Sequence, residues 1–164
     1  MDNMSTHDET IAIVDADVPE LVETVRALFV EYATSLGFSL CFQNFDKELD
    51  GLPGSYARPE GRLLLARVDD LAAGCVGLRP LSSSVCEMKR LYVRPAMRGR
   101  GLGRALAEAV ITQARAARYR TMRLDTVEPL MSQAVALYRA IGFREIAPYT
   151  ANSLPGALYM ALEL

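Results

Sequence analysis

The stretch Arg98-Gly99-Arg100-Gly101-Leu102-Gly103 decides how this chain reads. Before it runs Glu87-Met-Lys-Arg-Leu-Tyr-Val-Arg-Pro95, the end of a strand over Val85–Val93 that proline halts by removing a ladder donor. After it, Leu102, Ala105, Leu106, Ala109, Val110 and Ala114 make one apolar stripe, which predicts a helix over Leu102–Ala117. Glycines at a strand-to-helix junction let a ligand approach the backbone closely. The unpaired N–H groups of the helix start point outward, and the helix dipole adds positive potential there. Lys89, Arg90, Arg94, Arg98, Arg100 and Arg104 surround the turn. The combination suits a small polyanion. The glycines alone also fit a plain flexible turn, and the basic residues alone a solvated face. A Walker loop is absent, and the dinucleotide fingerprint fails because position 104 is arginine.

Reading outward, the N-terminal side predicts a loose tail over 1–9 and a strand at Ile11–Val14. A helix follows, capped by Asp17 with Pro19 in its first turn and ending near Gly37, then a short helix at Phe45–Leu49. A loop rich in Gly and Pro leads to a hairpin, Arg62–Val68 and Ala73–Leu78, joined through Asp69-Asp70. On the C-terminal side lie a strand at Thr121–Val127, a helix at Ser132–Ile141 with Gly142 just past its end, and closing strands at Phe143–Ile146 and Ala157–Leu162. The order is β-α-α-β-β-β-α-β-α-β-β. It implies an α/β mixed sheet with helices on its faces, in a single domain over 10–164.

Composition narrows the function classes. The chain has 164 residues and a mass of 18.0 kDa, enough to bury roughly 70% of its unfolded surface in one core. Net charge is −2, the wrong balance for a polycation that coats nucleic acid, and no helix-turn-helix or aromatic platform accompanies the basic patch. The cysteines Cys41, Cys75 and Cys86 are odd in number with no C-x-x-C pair, which argues against a disulfide framework or a metal site. The sole histidine, His7, sits in the polar tail, which disfavours histidine-based triads. No apolar run reaches the roughly 18 residues of a membrane span, and the N-terminus lacks a secretory pattern, so the expected location is cytoplasmic.

Arg98-x-x-Gly101-x-Gly103 resembles the [QR]-x-x-G-x-[GA] acetyl-CoA motif of the GNAT N-acetyltransferases. Ala134-Val-Ala-Leu-Tyr138-Arg-Ala-Ile-Gly142-Phe143 resembles the second signature of that family, with a helix and a strand between the two. The resemblance covers residues 10–164. It implies the GNAT fold and transfer of an acetyl group from acetyl-CoA to an amine by direct attack, without a metal. It further implies that Arg98, Gly99, Arg100, Gly101, Leu102, Gly103 and Arg104 cradle the pyrophosphate through their backbone amides. Leu91, Tyr92 and Val93 would then pair with the pantetheine arm, one free N–H donating to the acetyl oxygen.

Tyr138 matches the general acid of the family, although its helix face would turn it inward as a core residue in any case. A phenol with a reference pKa of about 10 stays neutral at pH 7 and can protonate a departing thiolate. Glu87 is the candidate base, directly or through water; strand alternation puts Val85, Glu87, Lys89 and Leu91 on one side. Its other reading is an ion pair with Lys89 or an arginine. Tyr92, Asp125 and Glu128 are secondary candidates. Cys86 alternates to the opposite face with no histidine to activate it, so an acyl-cysteine route is set aside. One position departs from the family pattern: Met131 stands where many relatives carry an asparagine that bonds the cofactor arm, a contact that is lost unless another residue, such as Ser132, supplies it.

In the family, the acceptor pocket is built by the early helices and the last hairpin, here Phe42, Gln43, Asn44, Phe45, Tyr149 and Asn152. Their mixed aromatic and amide character suits a small polar primary amine such as an amino acid or amino sugar. Two alternatives stay open, a protein N-terminal or lysine acetyltransferase and a non-catalytic acyl-CoA-binding module. A homodimer is also open, since many relatives form one.

Overall fold

The structure, a computed structural model, describes residues 7–37, 44–150 and 154–164. Its elements run β1 (Ile11–Asp15), α1 (Pro19–Ser35), α2 (Phe45–Asp50), β2 (Arg62–Val68), β3 (Leu71–Pro80), β4 (Val85–Val93), α3 (Leu102–Ala116), β5 (Thr121–Val127), α4 (Ser132–Ile141), β6 (Arg144–Glu145) and β7 (Ala157–Glu163). This is the order expected from sequence. Two short 3-10 turns, Gly54–Tyr56 and Pro95–Met97, were not anticipated.

The strands form one sheet in the order β1-β2-β3-β4-β5-β7-β6. β4 and β5 are parallel, joined by the α3 crossover, and the remaining neighbours are antiparallel. The β2–β3 hairpin turns through Asp69 (φ 49) and Asp70 (φ 65), the two positive angles that a tight two-residue turn matching strand twist requires. On one face, Leu102, Leu106, Val110 and Ala114 of α3 pack with Cys86, Met88, Met122 and Leu124. On the other, Val22, Val25, Leu28 and Phe29 of α1 pack with Leu63, Leu65 and Tyr92.

Several boundaries differ from the sequence reading. α1 begins at Pro19 behind Val18, with no side chain capping it, so Asp17 does not act as a cap. β6 is only two residues long, Arg144–Glu145, and pairs with β7 at the sheet edge. The described end of the expected tail is tied down: Glu9 pairs with Arg100 at 2.7 Å, and His7 Nε2 lies 3.1 Å from Asp69 Oδ2.

β4 contains an irregularity that reorders its faces. Gly77 lies opposite Lys89 and Cys75 opposite Tyr92, so β4 carries one residue more than β3 between those pairs. Arg90, at φ 61, is the extra residue of this β-bulge. Cys86 and Met88 face α3. Past the bulge the phase shifts, so Leu91 and Val93 rejoin the α3 face while Tyr92 faces α1. The expectation that Leu91 shares a face with Glu87 and Lys89 is therefore corrected.

Candidate active site

The parallel ladder between β4 and β5 lasts three pairs, Val85–Thr121, Cys86–Met122 and Glu87–Arg123. Beyond Glu87 the strands diverge. The gap becomes a cleft of about 60 Å³ lined by Met88–Leu91, Asp125–Val127, Tyr32 of α1 with Leu36 just past it, Met131 just before α4 with Ala134 and Tyr138 on it, and Leu154. Because the sheet is open here, the lining draws on residues from both faces.

The glycine turn leads into α3. Gly99 (φ 84) and Gly101 (φ 73) hold left-handed backbone, and a Cβ added at either would meet nothing within 4 Å. Glycine is thus needed for conformation, and the space outside is open for a ligand. Gly101 caps α3 with no side chain bonded to the first helical amides, which leaves those donors to an anion. Gly103 has ordinary backbone, and its added Cβ would reach only Leu137 at 3.8 Å.

The nearby arginines have surface partners. Arg94 pairs with Glu31 at 2.9 Å, Arg100 with Glu9 at 2.7 Å and Arg104 with Glu108 at 2.8 Å, while Arg98 donates to the Val93 carbonyl at 3.2 Å. Such exposed pairs are screened and readily exchanged for a phosphate.

α4 carries Tyr138 into the cleft, 7% exposed, with its ring 5.7 Å from that of Phe143. Burial pushes its phenol well above the ordinary tyrosine range, so the neutral, proton-donating form persists. Opposite it, Lys89 and Asp125 form a buried ion pair, Nζ to Oδ1 3.5 Å, with side chains 8% and 6% exposed. Burial, with the Arg90 cation adjacent, lowers the Lys89 pKa.

The acetyltransferase (GNAT) family profile matches residues 22–143. The chain belongs to the GNAT family. It is 39% identical over 156 residues to an uncharacterized N-acetyltransferase of Schizosaccharomyces pombe, covering 94% of this chain and 95% of that one. Its fold is similar to an acetyltransferase of Streptococcus agalactiae (TM-score 0.75, 18% identity, 94% and 98% of the two chains). It is also similar to yncA of Salmonella typhimurium, solved with acetyl-CoA (TM-score 0.65, 18% identity, 93% of each chain). This GNAT chain is an acetyl-CoA-dependent acyltransferase.

Within this GNAT domain the expected residues divide. Leu91 and Tyr138 line the cleft, with Tyr92 and Val93 following on β4 and residues 98–104 forming the turn. Glu87 is not among the lining residues. It is 2% exposed, and Arg79 holds its Oε1 at 2.7 Å while the Tyr149 hydroxyl donates to its Oε2 at 2.6 Å. Tyr149 accordingly points to Glu87, with Arg123 over its ring at 5.3 Å. Asn44 caps α2 in left-handed conformation and is exposed. Phe42, Gln43 and Asn152 lie outside the described residues, as does Cys41. Met131 accepts from the Thr126 hydroxyl through sulfur at 3.2 Å. Cys86 faces the α3 core, and burial raises its thiol to about 12, consistent with no nucleophilic role. No described helix is long and apolar enough to cross a membrane, and no described cluster of three metal-ligating side chains is present.

The sequence reading placed Lys89 in the basic patch around the glycine turn; the structure instead buries it in the cleft, paired with Asp125. A signal was available: the chain has sixteen arginines and only two lysines, Lys47 and Lys89, and Lys89 falls on the central strand beside the bulge. Arg90, expected in the same patch, is likewise turned away from it: its guanidinium grips Glu48 of α2 at 2.9 and 3.2 Å and lies 5.0 Å over the Phe45 ring.

Proposed function

We propose that this GNAT enzyme transfers the acetyl group of acetyl-CoA to a primary amine of a small molecule by direct attack, with Tyr138 as the general acid. The observation that carries this reading is the buried Tyr138 side chain lining a cleft opened by the parting of β4 and β5.

The chain's own residues fit acetyl-CoA. The open left-handed glycines and uncapped start of α3 suit a pyrophosphate, held by the amides of residues 98–104. β4 beyond Glu87, at Leu91, Tyr92 and Val93, leaves an edge that β5 does not pair, suited to an extended amide-bearing arm. When bound, acetyl-CoA supplies an electrophilic thioester carbonyl and a thiol leaving group. Tyr138 Oη–H gives its proton to the departing sulfur and is reprotonated from solvent. Of the two proton routes for the amine, water is favoured over Glu87, because both Glu87 oxygens are already engaged.

Isothermal titration with acetyl-CoA, with NADH and ATP as controls, tests the first half. Saturable binding of acetyl-CoA alone, lost in Gly101→Glu, is expected. CoA release that requires an added amine tests the second half. Binding without release for any small amine or amine-bearing peptide would leave a non-catalytic acyl-CoA module.

A further inference from the structure

Lys89 and Asp125 meet where β4 and β5 part, and both line the cleft that holds Tyr138. The surrounding charges have other partners. Arg90 holds Glu48 at 2.9 Å, and Arg79 and Tyr149 hold Glu87. Among the described residues, Asp125 is the ion-pair partner of Lys89, at a separation of 3.5 Å that is long for a charge-assisted bond. The cleft floor thus presents the Lys89 cation against the Asp125 carboxylate, a largely buried pair held at 3.5 Å, beside an Arg90 already engaged by Glu48.

Charge balance selects what can open that pair. A simple ammonium approaching Asp125 would either sit against the Lys89 cation or displace it, leaving a buried charge unpaired, which is strongly unfavourable. An amine without a carboxylate therefore meets a penalty. A molecule carrying both an ammonium and a carboxylate replaces the one internal pair by two external ones, and no charge is stranded.

We infer that the acceptor is an amino carboxylate, its ammonium taken by Asp125 and its carboxylate by Lys89. The inference rests on the acetyl-transfer reading of the cleft. The reaction balances: the ammonium loses one proton to water, the amine nitrogen forms the carbon–nitrogen bond as the carbon–sulfur bond breaks, the thiolate leaves as thiol with the proton from Tyr138, and the second nitrogen proton passes through solvent to restore the Tyr138 phenol. The product nitrogen is neutral and no longer holds Asp125, so Lys89 can close on Asp125 again and favour release.

The test compares amino acids with their carboxamides and with the matching decarboxylated amines, in two readouts. CoA release gives kcat/KM for each compound. Calorimetric titration of the enzyme with an amino acid and with its amide, in the presence of desulfo-CoA, reads binding without turnover. The acid form should exceed the amide by on the order of 100-fold in kcat/KM and should alone bind measurably. Lys89→Met should raise KM for the acid and bring the acid-to-amide ratio below about 10, with acetyl-CoA affinity unchanged, and Lys89→Arg should restore part of the preference. Amides or plain amines that bind and react as well as the acids would overturn the inference while leaving acetyl transfer intact. Absence of acetyl-CoA binding, or of CoA release with every amine, would instead sink the acetyl-transfer reading, and this inference with it. If Lys89→Met does not fold, the wild-type acid-to-amide comparison still decides.

Discussion

The Tyr149 hydroxyl donates a 2.6 Å hydrogen bond to the buried carboxylate of Glu87, joining the segment between β6 and β7 to the central strand. Arg79 from β3 completes the contact at 2.7 Å. Glu87 therefore acts as an anchor for the segment that brings Leu154 to the cleft. Glu87→Gln should leave kcat within a few-fold of wild type at saturating substrate, raise the acceptor KM, and lower the melting temperature. A base would behave differently, because its loss depresses kcat and removes the acid limb of the pH profile. Steady-state kinetics across pH 6–9 separates the two.

Tyr138→Phe should lower kcat by roughly 10- to 100-fold, the usual range for removing a general acid, with little change in acetyl-CoA affinity. Burial raises the phenol pKa, so the proton is retained through neutral pH and beyond the ordinary tyrosine value of about 10. The wild-type kcat profile should accordingly show no fall from loss of this proton below pH 10. An unchanged kcat in Tyr138→Phe with a good acceptor would remove Tyr138 from the mechanism.

The two turn glycines should respond oppositely to alanine. Gly101 holds φ 73, so Gly101→Ala imposes left-handed backbone on a residue with a Cβ and should cost about 1–2 kcal/mol. Gly103 has helical backbone inside α3 and nothing closer than Leu137 at 3.8 Å, so Gly103→Ala should stabilise by up to about 1 kcal/mol. Thermal or denaturant unfolding of the two variants reads the sign directly.

These features divide by how far along the chain their causes lie. The glycine turn, α3 and α4 were legible because helical periodicity and turn chemistry are local. The Asp69-Asp70 hairpin was legible for the same reason. The bulge at Arg90 was not, because alternation in β4 holds only if β3 supplies an equal number of partners, and it supplies one fewer. That missing partner moved Leu91 to the other face. The pairs that shape the cleft join distant positions: Lys89 with Asp125 across the crossover, Arg90 with Glu48 of α2, Glu87 with Tyr149. Each depends on the strand order and on where the parallel ladder stops, which no local pattern encodes. Glu87 was placed on the correct face, but sequence could not reveal that two other groups already occupy its oxygens.

The Arg90–Glu48 pair should be the main tie between α2 and the cleft. Its side chains are 3% and 11% exposed, and the guanidinium meets the carboxylate through two nitrogens. Removing Arg90 strands the Glu48 carboxylate in a largely dry site, so Arg90→Met should destabilise by about 3–5 kcal/mol, and Glu48→Leu, which takes the carboxylate from Arg90, should destabilise by less. The double variant leaves no Glu48 carboxylate unpaired and should lose less than the sum, giving a coupling energy of at least about 1 kcal/mol in a double-mutant cycle. Arg90→Lys should recover little, since an ammonium cannot reproduce the two-point contact or lie flat over Phe45. Arg90 also lines the cleft, so the variants that remain folded should weaken the acceptor KM more than acetyl-CoA affinity. Additive losses in the cycle would mean that α2 is held by Phe45 packing alone and that the ion pair sets nothing.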